Sequence, residues 1–152
     1  MPAYVAVVGS GEPEPSTDAL AEEVGRALAE RGAIVVCGGL GGVMEAACRG
    51  ARAAGGLTVG LLPGSSRAAA NPHVVVALPT GLGEIRNALI VRCADAVIAI
   101  GGGPGTLSEV AFALKTGVPV VSLRSFELDG IEVAAEALDA VTRALARSSS
   151  AP

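Results

Sequence analysis

Residues 96–109 read Ala-Val-Ile-Ala-Ile-Gly-Gly-Gly-Pro-Gly-Thr-Leu-Ser-Glu. An uninterrupted apolar run of this length is a strand covered on both faces, and the glycines that follow hand the chain directly to a helical pattern from about Leu107 to Thr116, closed by Gly117. Strand, bare turn and helix in that order are the unit of a parallel α/β sheet.

The same unit repeats on either side. Apolar runs at Tyr4–Val8, Ala33–Val36, Leu57–Leu62, Val74–Leu78 and Pro119–Leu123 complete a set of about six strands. Helical patterns fall between most of them. The first is expected after Glu-Pro-Glu-Pro, with Ser16 or Thr17 as N-cap and Gly32 beyond its end. Others are expected over about Val43–Ala54, Glu84–Ala94 and Ile131–Ala146. Between Leu62 and Val74 there is no helical period, so the strand at Val74 is placed at a sheet edge. Right-handed crossovers then give a Rossmann-like, doubly wound α/β sheet, mainly parallel, with helices on both faces and a ligand crevice at the carboxyl ends of the strands.

A chain of 152 residues suits one domain, expected over 1–147, with 148–152 as a flexible tail. No apolar stretch approaches the ~18 residues that span a bilayer. No charged and apolar leader opens the sequence, so a cytoplasmic protein is expected. The net charge of −4, with ten Arg and one Lys scattered along the chain, argues against nucleic acid and for a small-molecule partner. Cys37, Cys48 and Cys93 lack CxxC spacing and His73 is the only histidine; neither a disulfide framework nor a zinc site is indicated, and the cysteines should pack as small apolar residues.

Ten of the 21 glycines fall in three strand-to-helix turns: Gly9 and Gly11; Gly38, Gly39, Gly41 and Gly42; Gly101, Gly102, Gly103 and Gly105. In a parallel sheet these turns share one edge. Backbone N–H groups there can approach an anion, and each following helix adds its positive end, so a phosphorylated ligand is expected. The failed matches narrow it. The last turn lacks the lysine of a Walker loop, the first lacks the third glycine of a dinucleotide fingerprint, and no GxSxG elbow is present.

From Glu84 through Glu109 the chain resembles the Lonely Guy family, also labelled lysine-decarboxylase-like. That family is marked by an Arg-Lys pair on one helix, a strand, and a PGGxGTxxE loop entering the next helix. Gly102, Gly103, Gly105, Thr106 and Glu109 match the loop and Arg86 matches the arginine, while Gly9, Ser10, Gly39, Gly42 and Met44 belong to the two upstream turns. Gly101 stands where the loop's first Pro would be, and Asn87 where the Lys would be. The compact length and the Arg-Asn pair look more like the branch that contains uncharacterised bacterial proteins and molybdenum-cofactor carrier proteins than like the phosphoribohydrolases. The resemblance implies phosphate or nucleotide contacts from these glycines, Ser10, Met44, Asn87 and Thr106, and catalytic roles for Arg86 and Glu109. The implied reaction is hydrolysis of the N-glycosidic bond of a nucleoside 5′-monophosphate to base and ribose 5-phosphate. The alternative it implies is a non-catalytic carrier of a nucleotide or of molybdenum cofactor. No cofactor is required for the hydrolysis, and decarboxylation is disfavoured because the lone lysine, Lys115, lies in the last turn of its helix.

Glu109 has two readings at this stage. With Thr106 it spells a capping box. Beside phosphoribose it could stabilise an oxocarbenium-like state, with Arg86 lowering its pKa. The helices near 84–94 and 107–116 are apolar nearly all round, so a homodimer or tetramer through those faces is expected.

Overall fold

The computed structural model describes residues 1–149. Seven parallel strands form one sheet in the order β4-β3-β2-β1-β5-β6-β7. They are β1 (Tyr4–Gly9), β2 (Ile34–Cys37), β3 (Thr58–Leu62), β4 (Val76–Pro79), β5 (Ala96–Ile100), β6 (Val120–Leu123) and β7 (Glu132–Ala134). The helices are α1 (Pro15–Glu30), α2 (Val43–Ala53), α3 (Arg86–Arg92), α4 (Pro104–Thr116) and α5 (Ala137–Ser148). Winding proceeds from β1 outward to β4, then returns to place β5 beside β1. The reversal between β1 and β5 opens the crevice typical of doubly wound sheets.

Two aliphatic layers hold the sheet. Val5, Val7, Val35, Ile98 and Ile100 pack under α1, α2 and α5, whereas Ala6, Val8, Val36 and Val97 pack under α3 and α4 with Ile90, Val91 and Val110. Alternate residues of one strand thus serve opposite layers, as the period-2 geometry of a strand requires. With so few aromatics, close approach replaces bulk. A Cβ on Gly25 would lie 1.9 Å from the carbonyl oxygen of Ala47, so α1 and α2 touch backbone to backbone.

The structure corrects the expected boundaries in several places. Helix α1 is capped by Glu14, not by Ser16 or Thr17. Its carboxylate accepts from the Ser16 and Thr17 amides at 3.3 and 2.9 Å, while Pro15 fills the first helical position, where no N–H is needed. Hydrogen bonds from Thr17 and Ser16 hold the Glu14 carboxyl down at about 2. The stretch expected as a helix from Ile131 is split: Glu132–Ala134 pairs with β6 as a seventh strand, and the helix starts at Ala137. Glu132 is fixed there by Arg147 at 2.7 Å and Arg143 at 3.6 Å. A tight 3-10 turn over Gly83–Ile85 precedes α3, which is therefore shorter than expected. Cys37 and Cys48 are buried, but Cys93 is exposed and does not pack as a core residue. Ser148 ends α5 and Ser149 caps it, and 150–152 of the expected tail lie outside the described residues. The strand at Val76 does sit at the sheet edge.

Candidate functional site

Where β1, β2 and β5 end, their turns and the start of α3 enclose a cleft of about 240 Å³. Gly9, Ser10, Met44, Arg86, Asn87, Gly103, Gly105, Thr106 and Glu109 all line it. Gly39, Gly42 and Gly102 do not; they shape the turns behind the lining. Gly42 has φ +61°, and a Cβ there would lie 2.2 Å from the Ser10 carbonyl oxygen, so it locks the second turn against the first. Gly102, at φ +103°, leaves room for the Thr106 side chain. Sequence reasoning named Gly11 and Gly38 as turn glycines without assigning them to the site, and it read Val7, Val8 and Ile90 only as parts of elements and Pro104 as part of the last turn; all six line the cleft.

Helices α2 and α4 enter the site without side-chain caps, their N-cap residues being Gly42 and Gly103. The first amides of such a helix have no intrahelical acceptor. In α4 the amides left without an acceptor belong to Gly105 and Thr106, because Pro104 has no N–H and Leu107 N–H already donates to Gly103 O; both residues line the cleft. A helix N-terminus with bare amides is an anion receptor. The expected Thr106–Glu109 capping box does not form: α4 begins at Pro104, so Thr106 is the third helical residue and Glu109 lies in the second turn.

Arg86 is buried and serves as a clamp. Its Nε–H donates to the Leu61 carbonyl at 2.7 Å, one Nη2–H donates to the Gly38 carbonyl at 3.3 Å, and Nη1 donates to Asn87 Oδ1. The first residue of α3 is thereby tied to the end of β3 and to the turn after β2. Glu109 is buried as well, and its carboxyl makes no hydrogen bond or ion pair with the described residues. Burial pushes its carboxyl up to about 7, and the opposing pull of Arg86 is the weaker effect. The expectation that Arg86 holds Glu109 below its ordinary value is corrected: desolvation wins because no direct ion pair forms. Glu84 is exposed on the 3-10 turn outside the cleft. Lys115 is in the last turn of α4, away from the cleft.

No helix among the described residues is long and apolar enough to cross a membrane. The whole fold has close counterparts. A molybdenum cofactor binding protein from Rippkaea orientalis superposes with a TM-score of 0.91 at 34% identity, covering 96% of this chain and 97% of that one. The molybdenum cofactor carrier protein of Chlamydomonas reinhardtii gives a TM-score of 0.90 at 31% identity, over 98% and 99%. An uncharacterized protein of Archaeoglobus fulgidus is 44% identical over 120 residues, 79% of each chain. The model of the SLOG cluster4 family matches residues 2–150, in agreement with the resemblance carried by residues 84–109. With both the fold and nearly the full length matched, the chain belongs to the SLOG cluster4 family.

Proposed function

We propose that this protein binds a phosphorylated pterin, molybdenum cofactor, and carries it without transforming it. The observation that supports this most strongly is the uncapped N-terminus of α4 at a cleft to which Gly9, Gly11, Gly38, Gly103 and Gly105 contribute bare backbone. The ligand's phosphate would sit against the Gly105 and Thr106 amides. At about 240 Å³ the cleft falls a little below the roughly 300–1,000 Å³ usual for ligand sites, so the guest would be gripped at one end and project from the other. Among the described residues no three His, Cys, Asp or Glu side chains converge to hold a metal, so recognition would fall on phosphate and pterin. The likeness to a molybdenum cofactor binding protein and a carrier protein above 30% identity supports the same reading. Arg86 fits a positioning role in such a protein, since three of its donors are already engaged with the chain itself.

A second reading, hydrolysis of a nucleoside 5′-monophosphate, is favoured by one observation. Glu109 faces the cleft with a carboxyl raised to about 7, where it could give a proton to a leaving base as readily as it could accept one. Incubation with AMP and N6-substituted analogues separates the two. The carrier reading expects binding without release of free base; sustained release that is lost in Glu109→Gln would replace it with the hydrolase.

The face carried by α3 and α4 exposes Leu82, Ile85, Leu89 and Leu107, with Ile85 75% accessible. An apolar patch of this kind marks a protein contact. We assign it to a second copy of the chain, which light scattering would register as a homodimer or larger assembly.

A further inference from the structure

Behind the cleft wall lie two thiols that the binding site does not use. Cys37 ends β2 and Cys48 lies in the middle of α2; both are fully buried, with their sulfurs 3.5 Å apart. Cys37 Sγ also accepts the Gly39 N–H at 3.3 Å. The turn between the two cysteines, Gly38–Gly42, supplies the cleft wall at Gly38 and leads to Met44.

We propose that Cys37 and Cys48 form a reversible disulfide that displaces the Gly38–Gly42 turn. A disulfide needs its sulfurs at about 2.05 Å, so the two sulfurs must close by about 1.5 Å, through side-chain rotation together with movement of the backbone that carries them. The turn has no slack to absorb that movement. A Cβ at Gly38 would already lie 2.7 Å from Met44 Sδ and 2.7 Å from Arg86 Nη2, and one at Gly42 would lie 2.2 Å from the Ser10 oxygen. Approach of the sulfurs therefore shifts the turn, and the Gly39 N–H loses its acceptor geometry.

The chemistry balances with a small peroxide as oxidant. The Cys37 thiolate attacks one peroxide oxygen, the O–O bond breaks, and water leaves after protonation, giving a sulfenic acid. The sulfur of Cys48 then attacks the Cys37 sulfur. The S–S bond forms, the S–O bond breaks, and the departing hydroxide takes the Cys48 proton as a second water. Two thiols lose two electrons and two protons, and an external dithiol reverses the step. The hydrogen bond shared with Cys48 outweighs burial and, with the Gly39 N–H and the Arg86 charge, lowers the Cys37 thiol, whereas the same contact and burial raise Cys48. Cys37 is thus the attacking residue. Cys37 itself is fully buried, but its neighbour Gly38 lines the cleft, so a small oxidant would enter through an opening of that turn.

The test treats the purified protein with hydrogen peroxide and counts thiols after denaturation. Wild type should fall from three free thiols to one, with a mass lower by two hydrogens, and dithiothreitol should restore both values. Cys93→Ala should still close the bond and Cys48→Ala should not. Hydrogen exchange should quicken over residues 38–44 of the oxidised form. Retention of all three thiols, closure through Cys93, or a closed bond with unchanged exchange over that turn would overturn the proposal. None of these readouts needs a ligand, so the proposal can fail while the carrier reading stands, and the reverse.

Discussion

Arg86 and Glu109 line the same cleft, yet they make no ion pair within 4.0 Å. The guanidinium is turned away into the protein, donating to the carbonyls of Leu61 and Gly38, and the carboxyl is left desolvated and without a partner. Two residues that the family resemblance joins in catalysis, with Arg86 expected to hold Glu109 ionised, are thus divided in space between a clamp and a titrating group.

The division predicts a pH-dependent stability. The Glu109 carboxyl is raised from 4.5 to about 7 in the folded protein, so folding favours its neutral form. Its stabilising contribution is complete below the unfolded value and is lost as pH rises through about 7. Glu109→Gln should therefore match wild type near pH 4 and exceed it at pH 8, by roughly 3 kcal/mol at most. Urea unfolding at the two pH values checks this; a difference that grows toward low pH would show that the carboxylate is stabilised instead.

Removing the clamp should cost the fold. Arg86→Ala leaves the buried Leu61 and Gly38 carbonyls without this donor, for a loss of roughly 2–4 kcal/mol. Arg86→Lys should recover only part of it, because an ammonium cannot span both carbonyls with the guanidinium's planar fork. Denaturation midpoints of the three proteins measure the effect, and an unchanged midpoint in Arg86→Ala would remove the positioning role.

Gly105 offers a cleaner separation of fold from function. It is the second residue of α4, its φ is not positive, and a Cβ there would meet nothing within 4 Å. Alanine favours a helix over glycine by up to about 1 kcal/mol. Gly105→Ala should thus hold or raise the melting temperature while weakening phosphate-ligand binding, because the new methyl group enters the space where the anion meets the amides. Calorimetry of both properties would reveal a fault if binding were unaffected.

At the apolar face the expectation is one of assembly. Ile85→Glu should convert the oligomer to monomer without changing cleft chemistry, since Ile85 is 75% accessible and does not line the cleft. A wild type that is already monomeric by light scattering would remove the assignment of that face.

The strand, glycine turn and helix at residues 96–116 could be read directly, because a buried parallel strand needs an unbroken apolar run and its turn needs bare backbone. The sheet edge at Val76 was legible for the opposite reason: no helix pattern follows β3. Strand β7 was not legible. Three residues are too few to show a period of two, and Ala134, Ala137, Ala140 and Val141 continue as one apolar stripe across the break. The site residues were legible as types but not as roles. Arg86 reaches carbonyls 25 and 48 positions away in the chain, which no local pattern encodes. The burial that raises Glu109 is likewise a product of packing α4 against the sheet.

The central claim is that the bare Gly105 and Thr106 amides at the α4 N-terminus grip a phosphate. Its most direct measurement is isothermal titration of the protein with molybdenum cofactor and with the same pterin lacking its phosphate. The account predicts that the phosphorylated form binds, that inorganic phosphate competes with it, and that removing the phosphate abolishes most of the affinity. Equal affinity for the two forms, with no competition from phosphate, would contradict it.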